Sequence, residues 1–106
     1  MEISGLGVSK GRVKGIVKII TDKESIETFT EGNILIAKNV SPGMVIAISN
    51  ARAIITEFGG MNSHPAILSR ELGIPAVVGV KDVLNILKDG DEVEVDGDAG
   101  IITRRS

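Results

Sequence analysis

The sequence predicts an α/β fold in which a small parallel sheet packs against an antiparallel sheet, with short helices between the strands. Three short and almost wholly apolar runs indicate strands that are buried on both faces, as parallel strands usually are. These runs are NILIA at 33–37, AIIT at 53–56 and AVVGV at 76–80. Helix signals separate the three runs, which favours right-handed crossover connections. Alternating apolar and polar residues near both ends of the chain indicate antiparallel strands with one exposed face.

The N-terminal elements come first. Residues 5–11 are a glycine-punctuated lead-in. Apolar and basic residues then alternate from Arg12 to Ile20, which predicts a strand. The polar stretch 22–30 predicts a short helix or a loop before the first buried strand.

Two helices are predicted between the buried strands. Serine is a good helix cap and proline is tolerated in the first turn, so Ser41-Pro42 predicts a helix start. The apolar residues 44–48 would form the body of this helix. A second helix over 65–72 would end at Gly73, with Pro75 preventing its continuation.

The C-terminal segment predicts a helical turn followed by a hairpin. Residues 83–87 favour one short helical turn, and Asp89-Gly90 favours a chain reversal. The remaining residues predict a hairpin with one buried face. Its parts are an alternating strand at 92–96, a turn at 97–100 and a return strand at 101–104.

Composition excludes several classes of protein. The 106 residues fit a single domain spanning 1–106. The chain has no cysteine, which excludes disulfides and thiolate metal sites. A net charge of −2 with scattered basic residues argues against nucleic-acid binding. No signal pattern or membrane-length apolar run is present, so we expect a cytoplasmic protein. Asp89, Asp91 and Asp96 are interpreted as turn and strand-end residues, and no metal site is predicted.

The single histidine, His64, lies between the second buried strand and the second helix. A proline disfavours helical geometry in the preceding residue, which predicts His64 at the N-cap and Pro65 at the first helical position. The partial positive charge of a helix N-terminus favours a neutral imidazole and attracts an anion such as a phosphoryl group. Gly59 and Gly60 would let that group approach the main chain closely. The pattern therefore favours a histidine that accepts phosphate.

Simpler interpretations compete at each of these positions. A lone histidine in a small domain is more often structural or merely exposed. Arg70 is interpreted as a solvated helix residue, with a contact to phosphate or to a partner as the alternative. Glu57 could orient the imidazole, although a surface carboxylate is the commoner role. No serine-nucleophile motif supports a hydrolytic triad.

The stretch GGMNSHPAILSRELGIPAVVG at 59–79 resembles the phosphohistidine signature of the phosphoenolpyruvate (PEP)-utilising enzymes. The resemblance covers nearly the whole chain. Segments 7–20, 34–48 and 87–102 are similar to the opening strand of the family, to the segment before its site and to its closing hairpin.

The resemblance implies a compact β/β/α swivelling domain that carries a phosphoryl group between two active sites, as in the interconversion of pyruvate and PEP. His64 would be the carrier, and Arg70 a phosphate or partner contact. The partners would be an ATP-grasp nucleotide-binding domain and a barrel that holds PEP or pyruvate. ATP or PEP and a divalent metal would bind to those partners, and no cofactor to this domain. The residues shaping the phosphoryl loop would be Thr56, Gly59, Gly60, Asn62 and Ser63.

The sequence departs from the family pattern at two positions. Many members carry threonine where this chain has Asn62, which removes a regulatory phosphorylation site known in the plant-type dikinase. Many carry alanine or threonine where this chain has Pro65, so one N–H donor is missing beside the histidine.

Two functions remain open at this point. The chain could be a phosphotransferase component that does not turn over alone. The alternative is a non-catalytic regulatory or scaffolding module of the same fold in which His64 is idle. The intact Gly-Gly and Ser-His pairs favour the carrier, while the final acceptor stays open.

Overall fold

A computed structural model describes residues 1–105, so Ser106, the last residue of the predicted domain, lies outside the described residues. A 3-10 turn at Pro42–Met44 directly precedes the second helix. The helices are α1 (Lys23–Glu27), α2 (Val45–Asn50), α3 (His64–Leu72) and α4 (Val83–Ile86). The strands are β1 (Glu2–Ser4), β2 (Leu6–Ser9), β3 (Arg12–Ile19), β4 (Ile34–Ala37), β5 (Ala53–Thr56), β6 (Ala76–Val78), β7 (Glu92–Asp96) and β8 (Ile101–Arg104). None of the helices within 1–105 is long and apolar enough to cross a membrane.

Two sheets share strand β3, which is long enough to serve both. Its first half lies in an antiparallel sheet of order β1-β8-β7-β3, where Val13 is opposite Val95. Its second half lies in a sheet of order β3-β4-β5-β6-β2, where Ile19 is opposite Ile36. In the latter sheet β3 to β6 are parallel, and β2 is an antiparallel edge strand. The predicted α/β fold is confirmed, with the two sheets continuous through one strand.

Residues 2–9 form two short strands that the sequence did not predict: β1 precedes the glycine-punctuated lead-in, and β2 lies within it. Strand β1 pairs with β8 in the antiparallel sheet, and β2 pairs with β6 in the parallel one. The chain passes from one sheet to the other at Gly5, whose N–H donates to the Gly100 carbonyl at 2.9 Å. The N-terminal segment therefore links the sheets along the edge opposite β3.

This passage is possible because glycines meet there. We call it the glycine crossing, formed by Gly5, Gly7, Gly97 and Gly100. A Cβ on Gly97 would collide with the Ser9 carbonyl, and one on Gly7 with the Gly97 carbonyl. The main chains of the lead-in and of the turn between β7 and β8 are thus in direct contact.

Two hydrophobic clusters occupy the two faces of the parallel sheet. One lies between the sheets and includes Ile36, Val93 and Ile102. The other lies between the parallel sheet and the helices and includes Leu35 and Ala66. Because β4 and β5 contribute alternate residues to both clusters, every residue of these strands is buried. This arrangement explains their uninterrupted apolar sequences and confirms the β/β/α layering.

The region around α2 is helical, as the sequence predicts, but much of its apolar surface is exposed. Ser41 is the N-cap of the 3-10 turn, as expected. In α2, however, only Ala47 and Ile48 are buried, whereas Val45 is 51% and Ile46 is 76% exposed. The predicted helical segment is therefore present, as a 3-10 turn followed by α2, but two of its large apolar side chains are exposed.

Asp89 and Asp91, which the sequence places at a turn, accept backbone hydrogen bonds there. The Lys88 N–H donates to Asp91 Oδ2 at 2.9 Å, and the Ile19 N–H donates to Asp89 Oδ1 at 2.6 Å. At the start of α1, the N–H and hydroxyl of Ser25 hold the pKa of Asp22 below its ordinary value.

The Asp89 contact leads to a stability prediction. Pairing of β3 with β7 ends at Ile16, so the Ile19 N–H relies on the Asp89 carboxylate in place of a strand. We expect Asp89→Ala to lower the free energy of unfolding by about 1 kcal/mol, measured by urea denaturation. Asp89→Asn keeps an acceptor oxygen and should retain most of this stability. Equal losses in the two variants would show that the charge beside Lys18, 4.0 Å away, matters instead.

Candidate functional site

His64 lies at the start of α3, near the carboxyl end of the parallel strand β5, and its side chain is exposed. The helix begins one residue earlier than predicted: Ser63 is the N-cap, His64 the first helical residue and Pro65 the second. The missing N–H of Pro65 still has no cost, because the first N–H groups of a helix have no partner within it. The expected position at the mouth of a helix is therefore retained.

Ser63 does not cap α3 with its side chain. Its hydroxyl donates instead to the Gly60 carbonyl at 2.8 Å, and its N–H donates to the same oxygen at 3.1 Å. No side-chain oxygen therefore neutralises the N-terminus of α3. Main-chain N–H groups and the positive end of the helix are left beside the imidazole, which is an arrangement that can bind an anion.

The two glycines of the loop have different requirements. Gly59 has a φ of +138°, and a Cβ there would lie 3.0 Å from Ser63 Oγ and 3.2 Å from Val78 Cβ. Gly60 does not have a positive φ, and no atom lies within 4 Å of the position that its Cβ would occupy. Gly59 thus shapes the loop, whereas the space beside Gly60 is open.

Thr56, Glu57 and Asn62 occupy the rest of the loop. Thr56 is fully buried, and its hydroxyl donates to the Phe58 carbonyl at 2.7 Å. This hydrogen bond stabilises the start of the loop. The Glu57 N–H donates to the Ala37 carbonyl at 3.1 Å, which joins the loop to the end of β4. Asn62 is exposed next to Ser63.

Arg70 holds the loop through main-chain contacts that the sequence did not indicate. Its Nε donates to the Val8 carbonyl at 2.7 Å, and its Nη2 donates to the Met61 carbonyl at 2.8 Å and lies 3.0 Å from Met61 Sδ. The pairing of β2 shifts register between Gly7 and Ser9, so Val8 lies in an irregularity of the ladder. Carbonyl acceptors carry no residue-type signal, and β2 was not predicted, so these partners could not be found from the sequence.

These contacts predict a stabilising role for the guanidinium. We expect Arg70→Met, which keeps an unbranched apolar stem but removes the guanidinium, to lower the free energy of unfolding by about 2 kcal/mol. The matched control is Arg105→Met, which removes an exposed arginine whose ion pair with Glu94 measures 3.8 Å, and we expect a change below about 0.5 kcal/mol. Urea denaturation of both variants checks this, and equal effects would contradict the prediction.

Comparison with known sequences gives a family profile and relatives that agree with each other. A profile of the family described as "PEP-utilising enzyme, mobile domain" matches residues 29–100. A probable phosphoenolpyruvate synthase of Archaeoglobus fulgidus is 49% identical over 100 residues, which are 94% of this chain and 13% of the relative. The phosphoenolpyruvate synthase of Pyrococcus furiosus is 47% identical over 94% of this chain and 12% of the relative. The chain thus spans about an eighth of the length of these relatives.

Solved structures also resemble the chain. The solution structure of an Enzyme I protein is 35% identical, with a TM-score of 0.65 over 76% of this chain and 33% of that chain. The crystal structure of aconitase X from Thermococcus kodakaraensis has a TM-score of 0.74 over 100% of this chain and 99% of that chain, but only 20% identity. The latter likeness is one of fold alone.

Proposed function

The chain belongs to the family of PEP-utilising enzyme mobile domains, and from that membership we propose that it carries a phosphoryl group on His64. The observation that supports this most directly is the exposed imidazole at the start of a helix that no side chain caps. A nucleophile and anion-binding N–H groups are then side by side.

The chemistry would be a nucleophilic displacement at phosphorus. The lone pair of a neutral imidazole nitrogen attacks the phosphorus atom of the donor, and the bond between phosphorus and the leaving oxygen breaks. The leaving oxygen keeps the electron pair of that bond. N–H groups of the first turn of α3 stabilise the phosphoryl oxygens. Transfer to the acceptor breaks the N–P bond in the same way and restores the imidazole.

Exposure of His64 suits a carrier that presents one atom to two sites in turn. We propose ATP or PEP as the donor and the interconversion of pyruvate and PEP as the reaction served. An ATP-grasp domain and a PEP- or pyruvate-binding barrel would then be the partners, and would hold the divalent metal. Since the chain spans about an eighth of its relatives, both sites would lie elsewhere, in the same polypeptide or in other chains of the cytoplasm.

Labelling with a donor protein tests the proposal. The donor is the P. furiosus phosphoenolpyruvate synthase with its own matching segment deleted, supplied with ATP and Mg²⁺. We expect one phosphoryl group on the peptide that contains His64, labile in acid and located by mass spectrometry. The same mixture with PEP in place of ATP tests the second donor. Absence of an adduct on His64 with both donors would contradict the proposal and favour the non-catalytic module.

A further inference from the structure

The N–H groups of the Arg70 side chain are bound in a way that prevents a bidentate contact with phosphate. Its Nη2 donates to the Met61 carbonyl at 2.8 Å and lies 3.0 Å from Met61 Sδ, and its Nε donates to the Val8 carbonyl at 2.7 Å. A bidentate contact uses two parallel N–H groups, either those of Nε and Nη2 or those of Nη1 and Nη2. Because both pairs include Nη2, such a contact would release Met61 and the loop.

The charge of Arg70 is not neutralised by a carboxylate. The ion pairs found within residues 1–105 all involve other cations. The positive charge therefore acts on the main-chain carbonyls that the guanidinium contacts. A hydrogen bond from a charged donor is shorter and stronger than one between neutral groups. The Met61 carbonyl thus accepts a charge-assisted bond in the loop, three residues before His64.

The Met61 carbonyl belongs to the same peptide group as the Asn62 N–H. The peptide bonds of residues 1–105 are trans, so the C=O and the N–H of this group point in opposite directions. The Asn62 N–H therefore points away from the guanidinium, and it donates to no acceptor within the described chain. The same holds for the Met61 N–H, because the Gly60 carbonyl is bound by Ser63. Successive free N–H groups of this kind can bind an anion.

We infer that Arg70 is a positioning residue for phosphoryl transfer: it holds and polarises the peptide group whose N–H, that of Asn62, binds the phosphoryl group on His64. The inference rests on the proposed carrier function and assigns how the domain stabilises its cargo. A bond from a cation to the carbonyl withdraws electron density from the peptide group and makes its N–H a stronger donor. The charge of Arg70 thus acts on the phosphoryl oxygens through one peptide group, without touching them.

Labelling of Arg70→Met by phosphoramidate tests the effect on the reaction. This small donor needs no docking: its P–N bond breaks, phosphorus bonds to the imidazole nitrogen, and ammonia leaves with the electron pair of the broken bond. We expect His64 of Arg70→Met to be labelled about tenfold more slowly than in the unaltered chain, because the Asn62 donor is weakened and less firmly held. The rates are compared at a temperature where every variant is folded.

Two controls separate this effect from net charge and from stability. Arg105→Met removes the same charge from an exposed arginine, and Asp89→Ala removes a backbone hydrogen bond outside the loop. Both variants should be labelled at the rate of the unaltered chain. A slowing in either control that equals the slowing in Arg70→Met would overturn the inference, because charge or stability alone would then account for it.

Amide signals identify the group through which Arg70 acts. In nitrogen–proton correlation spectra, we expect phosphorylation to move the Asn62 amide proton downfield, since it gains a hydrogen bond to a charged oxygen. The shift should be smaller in Arg70→Met. The Arg70 Nε–H signal should stay in place, because its bond to the Val8 carbonyl is kept. A change at this Nε–H with none at Asn62 would show direct contact with phosphate and overturn the inference.

The outcomes that overturn the inference differ from those that overturn the carrier function. Labelling of Arg70→Met at the unaltered rate would overturn the inference and leave His64 as the carrier. If His64 of the unaltered chain is labelled by phosphoramidate but by the donor protein with neither ATP nor PEP, the carrier function fails and the inference fails with it.

Discussion

Replacing His64 with glutamine is expected to abolish phosphoryl acceptance, with a loss of at least about a thousandfold in the labelling rate. Glutamine keeps a polar side chain at the first helical position but has no nucleophilic nitrogen. Because the imidazole is exposed, its removal should change the unfolding temperature by only about 2 °C. Labelling with the donor protein and ATP, together with thermal unfolding, measures the two effects.

A control at Ser63 makes this result specific to the imidazole. Ser63→Ala removes the hydroxyl that donates to the Gly60 carbonyl and leaves His64 in place. We expect this variant to keep the labelling, at a rate reduced about tenfold or less, because the loop loses one hydrogen bond. A glutamine variant that is still labelled elsewhere in the loop at the original rate would exclude His64 as the acceptor.

Gly97→Ala is expected to have the largest effect on stability. The added methyl group would collide with the Ser9 carbonyl at the glycine crossing, where backbone meets backbone and no rotamer change gives relief. We expect a loss of about 3 kcal/mol, which lowers the unfolding temperature by roughly 12–24 °C in a domain of this size. Differential scanning calorimetry and urea denaturation measure the loss.

The neighbouring turn supplies a control. Ala99→Gly changes the same turn without adding an atom and should lower the free energy of unfolding by about 1 kcal/mol or less. If Gly97→Ala unfolds at the same temperature as the unaltered protein, the lead-in and the turn between β7 and β8 are not in contact. The described glycine crossing would then be wrong.

The parallel sheet could be predicted from the sequence because burial on both faces leaves a strong signal. The apolar runs at β4, β5 and β6 were found within two residues of their bounds, and the hairpin of β7 and β8 was found with both its limits. In the parallel strands almost every position is buried and requires an apolar side chain. Residue type alone is therefore enough to locate these strands.

The N-terminal strands could not be predicted, for a physical reason. Strands β1 and β2 have three and four residues, and glycines interrupt them because they cross another main chain. Glycine normally indicates a turn, so the feature that permits the crossing conceals the strands.

The site was predicted in part. The position of His64 at a helix start followed from the proline beside it and from the order of strand, loop and helix. The contacts of Arg70 were invisible, since two of its three acceptors are main-chain carbonyls. The exposure of Val45 and Ile46 does not follow from the sequence, because an apolar run of this length does not indicate which helix face is buried.

Strand β3 is a member of both hydrogen-bonded ladders, and the lead-in joins the same two sheets at the opposite edge. Neither sheet can tilt against the other without rupture of these shared connections. The described chain therefore has no hinge between its two sheets. The main chain at His64 keeps a fixed position relative to both sheets. Movement of His64 between two separate active sites would therefore require both sheets and the helices to move together as one rigid body.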